Sequence, residues 1–100
     1  MKRRFVVAIE GFTKEKDNQF VEFCKENSLG WWHHIMGFWL IFDRSNKITA
    51  TEIRDKIKQI NTSGGPCLVM QVHDDITWAG LNRAGRDNTF DWVKKSWPGE

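Results

Sequence analysis

The stretch that most constrains the fold runs from residue 29 to residue 42, LGWWHHIMGFWLIF, and holds three of the six tryptophans and two of the three histidines. Two strongly apolar runs meet there at Met36 and Gly37. A two-residue loop with glycine in second place is typical of a tight β-hairpin, whose strands pair residue against residue. Counting outward from the loop predicts the pairs, which are Ile35 with Phe38, His34 with Trp39, His33 with Leu40, Trp32 with Ile41 and Trp31 with Phe42.

The predicted pairs sort the hairpin into two faces, because successive side chains of a strand point to opposite sides of a sheet. We expect the more apolar face to be core, and its members are Trp31, His33, Ile35, Phe38, Leu40 and Phe42. The other face carries Trp32, His34, Trp39 and Ile41. Since this second face is aromatic yet holds a polar imidazole, it is where we expect a functional site.

The elements around the hairpin complete a βαββαβ order. Residues 5–9 form a continuous apolar strand, and residues 13–27 have the periodicity of an amphipathic helix. Residues 49–52 match a capping box that opens a second helix, and residues 67–73 form the last strand. This order predicts an α+β, ferredoxin-like fold with a four-stranded antiparallel sheet, two helices on one face, and the first and third strands in the middle.

The length of 100 residues predicts one compact core with a tail. We assign residues 1–75 to the ferredoxin-like domain and residues 76–100 to a C-terminal extension, made of a glycine-containing loop and a short helix. A helix of this length is marginal in isolation, so we expect it to dock on its own domain or on a partner subunit.

Composition restricts the class of protein. With 28% charged and 40% hydrophobic residues, the chain is typical of a folded domain, and a net charge of +2 is too small to indicate nucleic-acid binding by itself. No apolar run is long enough to span a bilayer, and the basic start is not followed by a signal-peptide core. These features predict a cytoplasmic protein with no membrane partner.

The remaining strands extend the second face of the hairpin. If Phe5, Val7 and Ile9 join Leu68, Met70 and Val72 in the core, the opposite side of the sheet is left uncovered by the two helices. That side would carry Val6, Ala8, Glu10, Trp32, His34, Trp39, Ile41, Val69, Gln71 and His73. A sheet face with two tryptophans requires a cover, either the C-terminal segment, a second copy of the chain or a ligand.

Two interpretations of this face are compatible. In one, Trp32 and Trp39 anchor a homodimer sealed sheet to sheet. In the other, the indoles stack on a nucleobase, and basic residues of the extension, including Lys94 and Lys95, contact phosphate. The predicted ligand-binding set is Trp32, His34, Trp39, His73, Trp78, Arg83 and Arg86.

Catalytic patterns are sparse. No serine or cysteine lies in a triad context, and no resident cofactor or metal is expected. His33 and His34 are adjacent, so on a strand they point apart. The alternative is a magnesium site in which Asp74 or Asp75 joins Glu10, although an aspartate pair after a strand is more often turn chemistry.

Several segments resemble a group of short bacterial and phage proteins called SinR-like, over about residues 5 to 80. They are Leu29-Gly30-Trp31-Trp32-His33-His34, Phe38-Trp39-Leu40-Ile41, Thr51-Glu52-Ile53-Arg54-Asp55, Leu68-Val69-Met70-Gln71-Val72 and Trp78-Ala79-Gly80. That group is similar to the ferredoxin-like VapD and CRISPR-associated endoribonuclease-like proteins, which dimerise and in some members cut RNA. In that wider family an acidic residue after the first strand helps to hold metal, and Glu10 stands at the matching position.

The leading hypothesis is a non-catalytic homo-oligomeric protein that captures a nucleotide-type anion. The resemblance to phage proteins and the small size suggest a sponge that sequesters a nucleotide signal of bacterial immunity. The alternatives are a VapD-like metal-dependent endoribonuclease that uses Glu10 with Asp74 or Asp75, and a protein-interaction module that uses the aromatic face.

Overall fold

The computed structural model describes residues 2–73, 76–82 and 88–97. The chain is an α+β protein with four strands and three helices in this part. The elements in order are β1 (Arg3–Ile9), α1 (Lys14–Glu26), β2 (Gly30–Ile35), β3 (Phe38–Asp43), α2 (Ala50–Ile60), β4 (Cys67–Val72) and α3 (Asp91–Lys95).

All four strands form one antiparallel sheet in the order β2-β3-β1-β4. The predicted antiparallel sheet with β1 and β3 in the middle is therefore confirmed, and the arrangement is compatible with a ferredoxin-like fold. In the described part of the chain, none of the helices is long and apolar enough to cross a bilayer.

The first two helices begin where the sequence predicts. The hydroxyl of Thr13 caps α1 by accepting a hydrogen bond from the backbone N–H of Lys16. At α2 the backbone N–H of Glu52 donates to the Thr49 hydroxyl over 3.1 Å, and the Glu52 carboxylate accepts from the Thr49 N–H over 3.0 Å. The predicted capping box is confirmed, and it satisfies N–H groups that have no partner within the helix.

The main core lies between α1, α2 and one side of the sheet, which we call the helix face. Both helices contribute fully buried side chains at helical spacing, such as Phe20 and Cys24 in α1 and Ile53 and Ile57 in α2. The sheet residues of this core are Phe5, Val7, Ile9, Trp39 and Ile41, with Trp31 and Val69 packed beside them. The opposite side of the sheet is the open face.

A β-bulge in the hairpin reverses the predicted faces of β3. Between the pairs Trp32–Leu40 and Ile35–Phe38, strand β2 has two residues, His33 and His34, where β3 has only one. The pairing beyond the bulge is shifted by one residue, and a shift of one residue moves side chains to the other face.

Trp39 is the residue most affected by the bulge. Trp39 and Ile41 were predicted on the open face, and this prediction is wrong, because both are fully buried in the main core on the helix face. Phe38 and Leu40, predicted in that core, lie on the open face instead. Ile35 also lies on the open face, although it was predicted to be core.

The predicted faces of β4 are wrong for a related reason. Val69 pairs with Val7 and shares the helix face, while Leu68 pairs with Ala8 on the open face. The first four residues of this strand, Cys67 to Met70, are all apolar. Alternation of apolar and polar residues therefore does not indicate which side of the strand faces the helices.

The C-terminal segment, residues 76–82 and 88–97, packs on the open face of its own sheet. Trp32 of β2 is buried there together with Val93 and Trp97, which flank the C-terminal end of α3. Partly buried neighbours from both sides complete this satellite core, and they are Val6, Phe38, Leu40, Val72, Phe90 and Trp92. Helix α3 has only five residues, so its packing on the sheet must hold it in place.

Candidate functional site

One candidate site is a cavity of about 480 Å³ between the open face and the C-terminal segment. We call it the aromatic cavity. Its volume falls in the range of small-molecule sites, which are usually concave and mostly apolar. The lining comprises Val6, Trp32, Ile35, Phe38, Leu40, Val72, Ile76, Trp78, Ala79, Gly80, Leu81, Phe90, Val93 and Trp97.

Trp32 is a fixed wall of the aromatic cavity. Its indole N–H donates to the backbone oxygen of Thr89 over 2.7 Å. Its ring stacks on Phe90 with 5.4 Å between centroids and an interplanar angle of 22°. The C-terminal segment therefore holds the indole in two ways, by accepting a hydrogen bond from its N–H and by stacking a phenyl ring on its face.

Trp78 also contacts Phe90, with 5.6 Å between the two ring centroids and an interplanar angle of 37°. Trp32, Phe90 and Trp78 all line the cavity and contact one another in that order, and we call these three aromatic rings the row. Trp78 is 42% exposed, so it is the ring of the row with the most surface free for a ligand.

Gly80 lets the loop approach this row closely. A β-carbon at position 80 would lie 2.6 Å from the Phe90 ring, closer than carbon atoms can approach without a shift. Because Phe90 is fixed by Trp32, a side chain at position 80 would move the loop that carries Trp78. The glycine in Trp78-Ala79-Gly80 therefore has a packing role at the cavity.

The two histidines of the predicted set do not line the aromatic cavity. The imidazole of His34 is exposed and touches the cavity only through Trp32, at 5.2 Å between ring centroids. His73 is exposed just after β4. Arg83 and Arg86 lie outside the described residues. The described lining therefore suits the flat, apolar part of a ligand.

Trp39 does not take part in the aromatic cavity, since the sheet separates it from Trp32. Its ring stacks on His33 at 3.8 Å with an interplanar angle of 2°, and it meets the edge of Phe20 at 4.8 Å. The predicted pair of open-face tryptophans is replaced by the row of Trp32, Phe90 and Trp78. Phe90 was missed because its docking on β2 depends on tertiary packing.

The alternative metal site is only partly within the described residues. Glu10 follows β1 and is exposed, and its backbone N–H donates to Pro66 over 3.1 Å. Asp74 and Asp75, the carboxylates predicted to join it, lie outside the described residues. Among residues 2–73, 76–82 and 88–97, there is no group of three His, Cys, Asp or Glu side chains that could hold a metal ion.

A second cavity of about 430 Å³ lies on the helix face, beside the bulge. We call it the helix-side pocket. Asp17 of α1, His33 of β2 and Trp39 of β3 meet there. Sequence reasoning missed it, because Asp17 looks like one of many solvated charges on an amphipathic helix. The sequence of the adjacent pairs Trp31-Trp32 and His33-His34 does not indicate which residue of each pair lies on which face of the sheet.

Comparison of the chain with protein-family models, curated proteins and solved structures gives no match. The segments from which a resemblance to SinR-like proteins is predicted lie mainly in β2, β3, β4 and the start of α2.

Proposed function

We propose that the chain is a non-catalytic binding protein of ferredoxin-like architecture, which captures a nucleotide-type anionic ligand. The base enters the aromatic cavity, and the phosphate groups remain at its mouth. The observation that carries this proposal is the row of Trp32, Phe90 and Trp78 along a cavity of about 480 Å³.

Stacking supplies the affinity in this proposal. A nucleobase stacked on an aromatic side chain gains about 1 to 3 kcal/mol, and every base offers a flat face. Trp78 presents such a face, while Trp32 and Phe90 hold the row rigid. A rigid site loses little conformational freedom when it binds.

The sequence around the cavity supplies positive charge for phosphate. Arg83 and Arg86 fall between Leu81 and Phe90, both of which line the cavity. Lys94 and Lys95 are exposed at the end of α3, which packs beside it. Arginine binds phosphate through two parallel hydrogen bonds, so we assign the phosphate contacts to the arginines first.

Self-association is part of the proposal. Strand β4 is at the edge of the sheet, and its open-face side chains Leu68 and Met70 are 59% and 48% exposed. Exposed apolar side chains on an uncharged edge strand favour contact with another chain. A small oligomeric binding protein suits a phage sponge in the host cytoplasm, which the size of the chain, the chemistry of the site and the kind of resemblance together suggest.

The experiment is a thermal-shift screen of the purified protein against cyclic nucleotides, ADP-ribose derivatives and short RNAs, with and without magnesium. Each bound ligand is then released by denaturation, and its mass is measured by mass spectrometry. We expect one small nucleotide to raise Tm and to be recovered intact. If no compound in the panel raises Tm, the proposal is refuted.

Matched variants place the ligand. Trp78→Ala should weaken binding about ten- to a hundredfold, because it removes one stacking face. Trp31→Ala, which removes an indole from the opposite side of the sheet, should leave the affinity within about twofold. Arg83→Ala and Arg86→Ala should weaken binding and reduce its salt dependence.

The same screen tests the ribonuclease alternative. Cleaved RNA that appears only with magnesium or manganese, and that is lost in Glu10→Gln, would favour the metal-dependent enzyme. The described residues contain no observation that favours this alternative over binding.

A further inference from the structure

Strand β4 forms a free edge of the sheet. It pairs with β1 on one side, and no described strand pairs with its other side. Its pairs with β1, from Arg4–Val72 to Ile9–Cys67, follow one regular register without a bulge. The strand itself contains no charged residue and no proline. Natural edge strands usually carry a charge, a proline or a bulge that prevents pairing with another chain, and β4 lacks all three.

Two other surfaces are less suited to a second copy of the chain. The opposite edge strand, β2, carries the bulge at His33 and His34, which breaks the regular spacing of its backbone groups. Trp32 and Trp39, the anchors of a sheet-to-sheet dimer in the interpretation of the sequence, are 3% and 0% exposed. The free edge of β4 is therefore the better surface for another strand.

Two hydrogen bonds at the end of β1 show which backbone groups of β4 point outward. The N–H of Glu10 donates to the Pro66 oxygen over 3.1 Å, in register with the β1–β4 pairs. The N–H of Ile9 donates to the Gly37 oxygen over 2.7 Å, on the β3 side. Because backbone groups alternate in direction along a strand, the even-numbered residues of β4 bond to β1. The odd-numbered residues point their N–H and C=O groups to the free edge, and these are Cys67, Val69 and Gln71.

The exposed side chains of β4 add an apolar contact to this edge. Leu68 and Met70 lie on the open face and are 59% and 48% exposed. Leu68 continues a row of apolar side chains across the sheet, because it pairs with Ala8, which pairs with Phe38. A strand with unpaired backbone groups and exposed apolar side chains is a template for another strand.

We infer that β4 is the interface of a two-fold homodimer, in which it pairs antiparallel with β4 of a second copy in a register centred on Val69. Val69 then faces Val69 of the second copy, and Cys67 faces Gln71 of the second copy. All edge-facing residues of the strand fall in pairs that exchange two hydrogen bonds. Leu68 lies opposite Met70 of the second copy, so the two exposed side chains cover each other.

The strand is self-complementary, which is why we assign a second copy to it. A two-fold axis places the same strand in reverse against itself, so residues at equal distances from the centre must suit each other. Leu68 and Met70 are both apolar, and Cys67 and Gln71 are both uncharged. Like charges, which would destabilise such a pairing, are absent from the strand.

This inference rests on the self-association that the proposed function includes, and it names the interface. The two-fold axis of the pair is perpendicular to the joined sheet, so the open faces of both copies lie on the same side. The dimer therefore carries two aromatic cavities on one face. The pairing needs no nucleotide, so the interface can be tested without one.

The first test is sedimentation equilibrium of the full chain without ligand, over about a hundredfold range of protein concentration. The chain has a mass of 11.8 kDa, and we expect a reversible equilibrium between this mass and twice this mass. Isotope-filtered NOE spectra of mixed ¹³C-labelled and unlabelled protein then report the register. We expect contacts between the Leu68 methyl groups of one copy and the Met70 methyl group of the other.

Variants locate the interface. Met70→Lys places a charge opposite Leu68 and should raise the dimer Kd by about tenfold or more. Gln71→Pro should do the same, because it removes an N–H that points to the free edge and none that bonds to β1. Ile35→Lys is the matched control, since Ile35 is 52% exposed on the opposite edge strand, and it should leave the Kd within about twofold. The amide NMR spectrum of each variant shows that it folds.

Three results would overturn the inference. One is a wild-type chain that stays monomeric across the range, which would leave the edge to a strand of another protein. The second is a dimer that Met70→Lys and any folded Gln71→Pro weaken no more than Ile35→Lys does. The third is a set of filtered NOEs that excludes Leu68 and Met70. Each of these leaves nucleotide binding to be decided by the thermal-shift screen, and a dimer that binds no nucleotide would support the interface alone.

Discussion

Removing one of the two adjacent histidines tests the β-bulge on which the whole arrangement of faces depends. In the structure, His33 and His34 stand opposite the single residue Trp39. With one histidine deleted, the other faces Trp39 directly, and the pairs Trp32–Leu40 and Ile35–Phe38 are kept. No described side chain has to change face.

The expected fall in the free energy of unfolding follows from the contacts that the deletion removes. His34 is exposed, and its ring contact in the described structure is with Trp32, an aromatic pair worth about 0.5 to 1.5 kcal/mol. The remaining histidine can keep the stack on Trp39. We therefore expect the free energy of unfolding to fall by about 1 kcal/mol.

A hairpin without the bulge, as predicted from the sequence, would lose a different amount of stability on the same deletion. There the deletion would move Trp32 to the wrong side of the sheet, and Trp32 is 3% exposed. Removing a buried tryptophan from a core costs about 3 to 5 kcal/mol, a large part of the stability of a small domain.

The assay is urea unfolding followed by far-ultraviolet circular dichroism and tryptophan fluorescence. The matched control deletes one of the adjacent residues Trp31 and Trp32, which keeps the bulge but displaces buried Leu29. This control should lose more than about 3 kcal/mol or fail to fold. A histidine deletion as damaging as the tryptophan deletion would refute the bulge as the cause of the face arrangement.

Three further predictions concern parts of the fold away from the site. Burial raises the pKa of the Asp43 carboxyl, but hydrogen bonds from the Ser45 hydroxyl and from nearby backbone N–H groups outweigh it and hold the pKa below its usual value. The stability that Asp43 contributes is therefore present above the unfolded-state pKa of about 4 and is lost as the pH falls through the lower folded-state value, so Asp43→Asn should flatten the acid limb of a stability-against-pH curve. Burial also raises the pKa of Cys24 to about 12, so iodoacetamide should modify the partly exposed Cys67 first in the native protein, as peptide mass spectrometry would show. Thr49→Ala should lower the free energy of unfolding by about 1 kcal/mol in urea denaturation, because it removes the cap of α2. Each of these predictions has a result that would contradict it. The results are an acid limb that Asp43→Asn leaves unchanged, faster modification of Cys24 than of Cys67, and a urea midpoint that Thr49→Ala leaves unchanged.

The features that could be predicted from the sequence are those that depend on neighbouring residues. The capping box of Thr49 and Glu52 and the isoleucine spacing of α2 are local patterns, and both are present as predicted. The hairpin loop at Met36 and Gly37 is local in the same sense, and Gly37 has the positive φ of 71° that favours glycine.

The faces of β3 and β4 could not be predicted, because their apolar residues are consecutive. Phe38 and Trp39 are both suited to a core, so only the register tells which of them faces the helices. The register depends on the bulge at His33 and His34, which forms in the context of the whole sheet. The position of Trp39 follows from this non-local feature.

The candidate site was predicted in part. Trp32 and Trp78 were singled out and both line the aromatic cavity, whereas His34 and His73 do not. The role of Phe90 could not be foreseen, since it arises where the C-terminal segment crosses β2. Docking of a short helix is decided by the surface it meets, and no local pattern encodes that surface.

The most direct test of the proposed function follows all six indole N–H signals of the ¹⁵N-labelled protein during titration with cyclic nucleotides and ADP-ribose. Binding of a base in the aromatic cavity predicts saturable shifts of the Trp78 and Trp32 signals, with little change at Trp39 across the sheet. Saturable binding that moves Trp39 or Trp31 and leaves Trp32 and Trp78 in place would contradict the proposal.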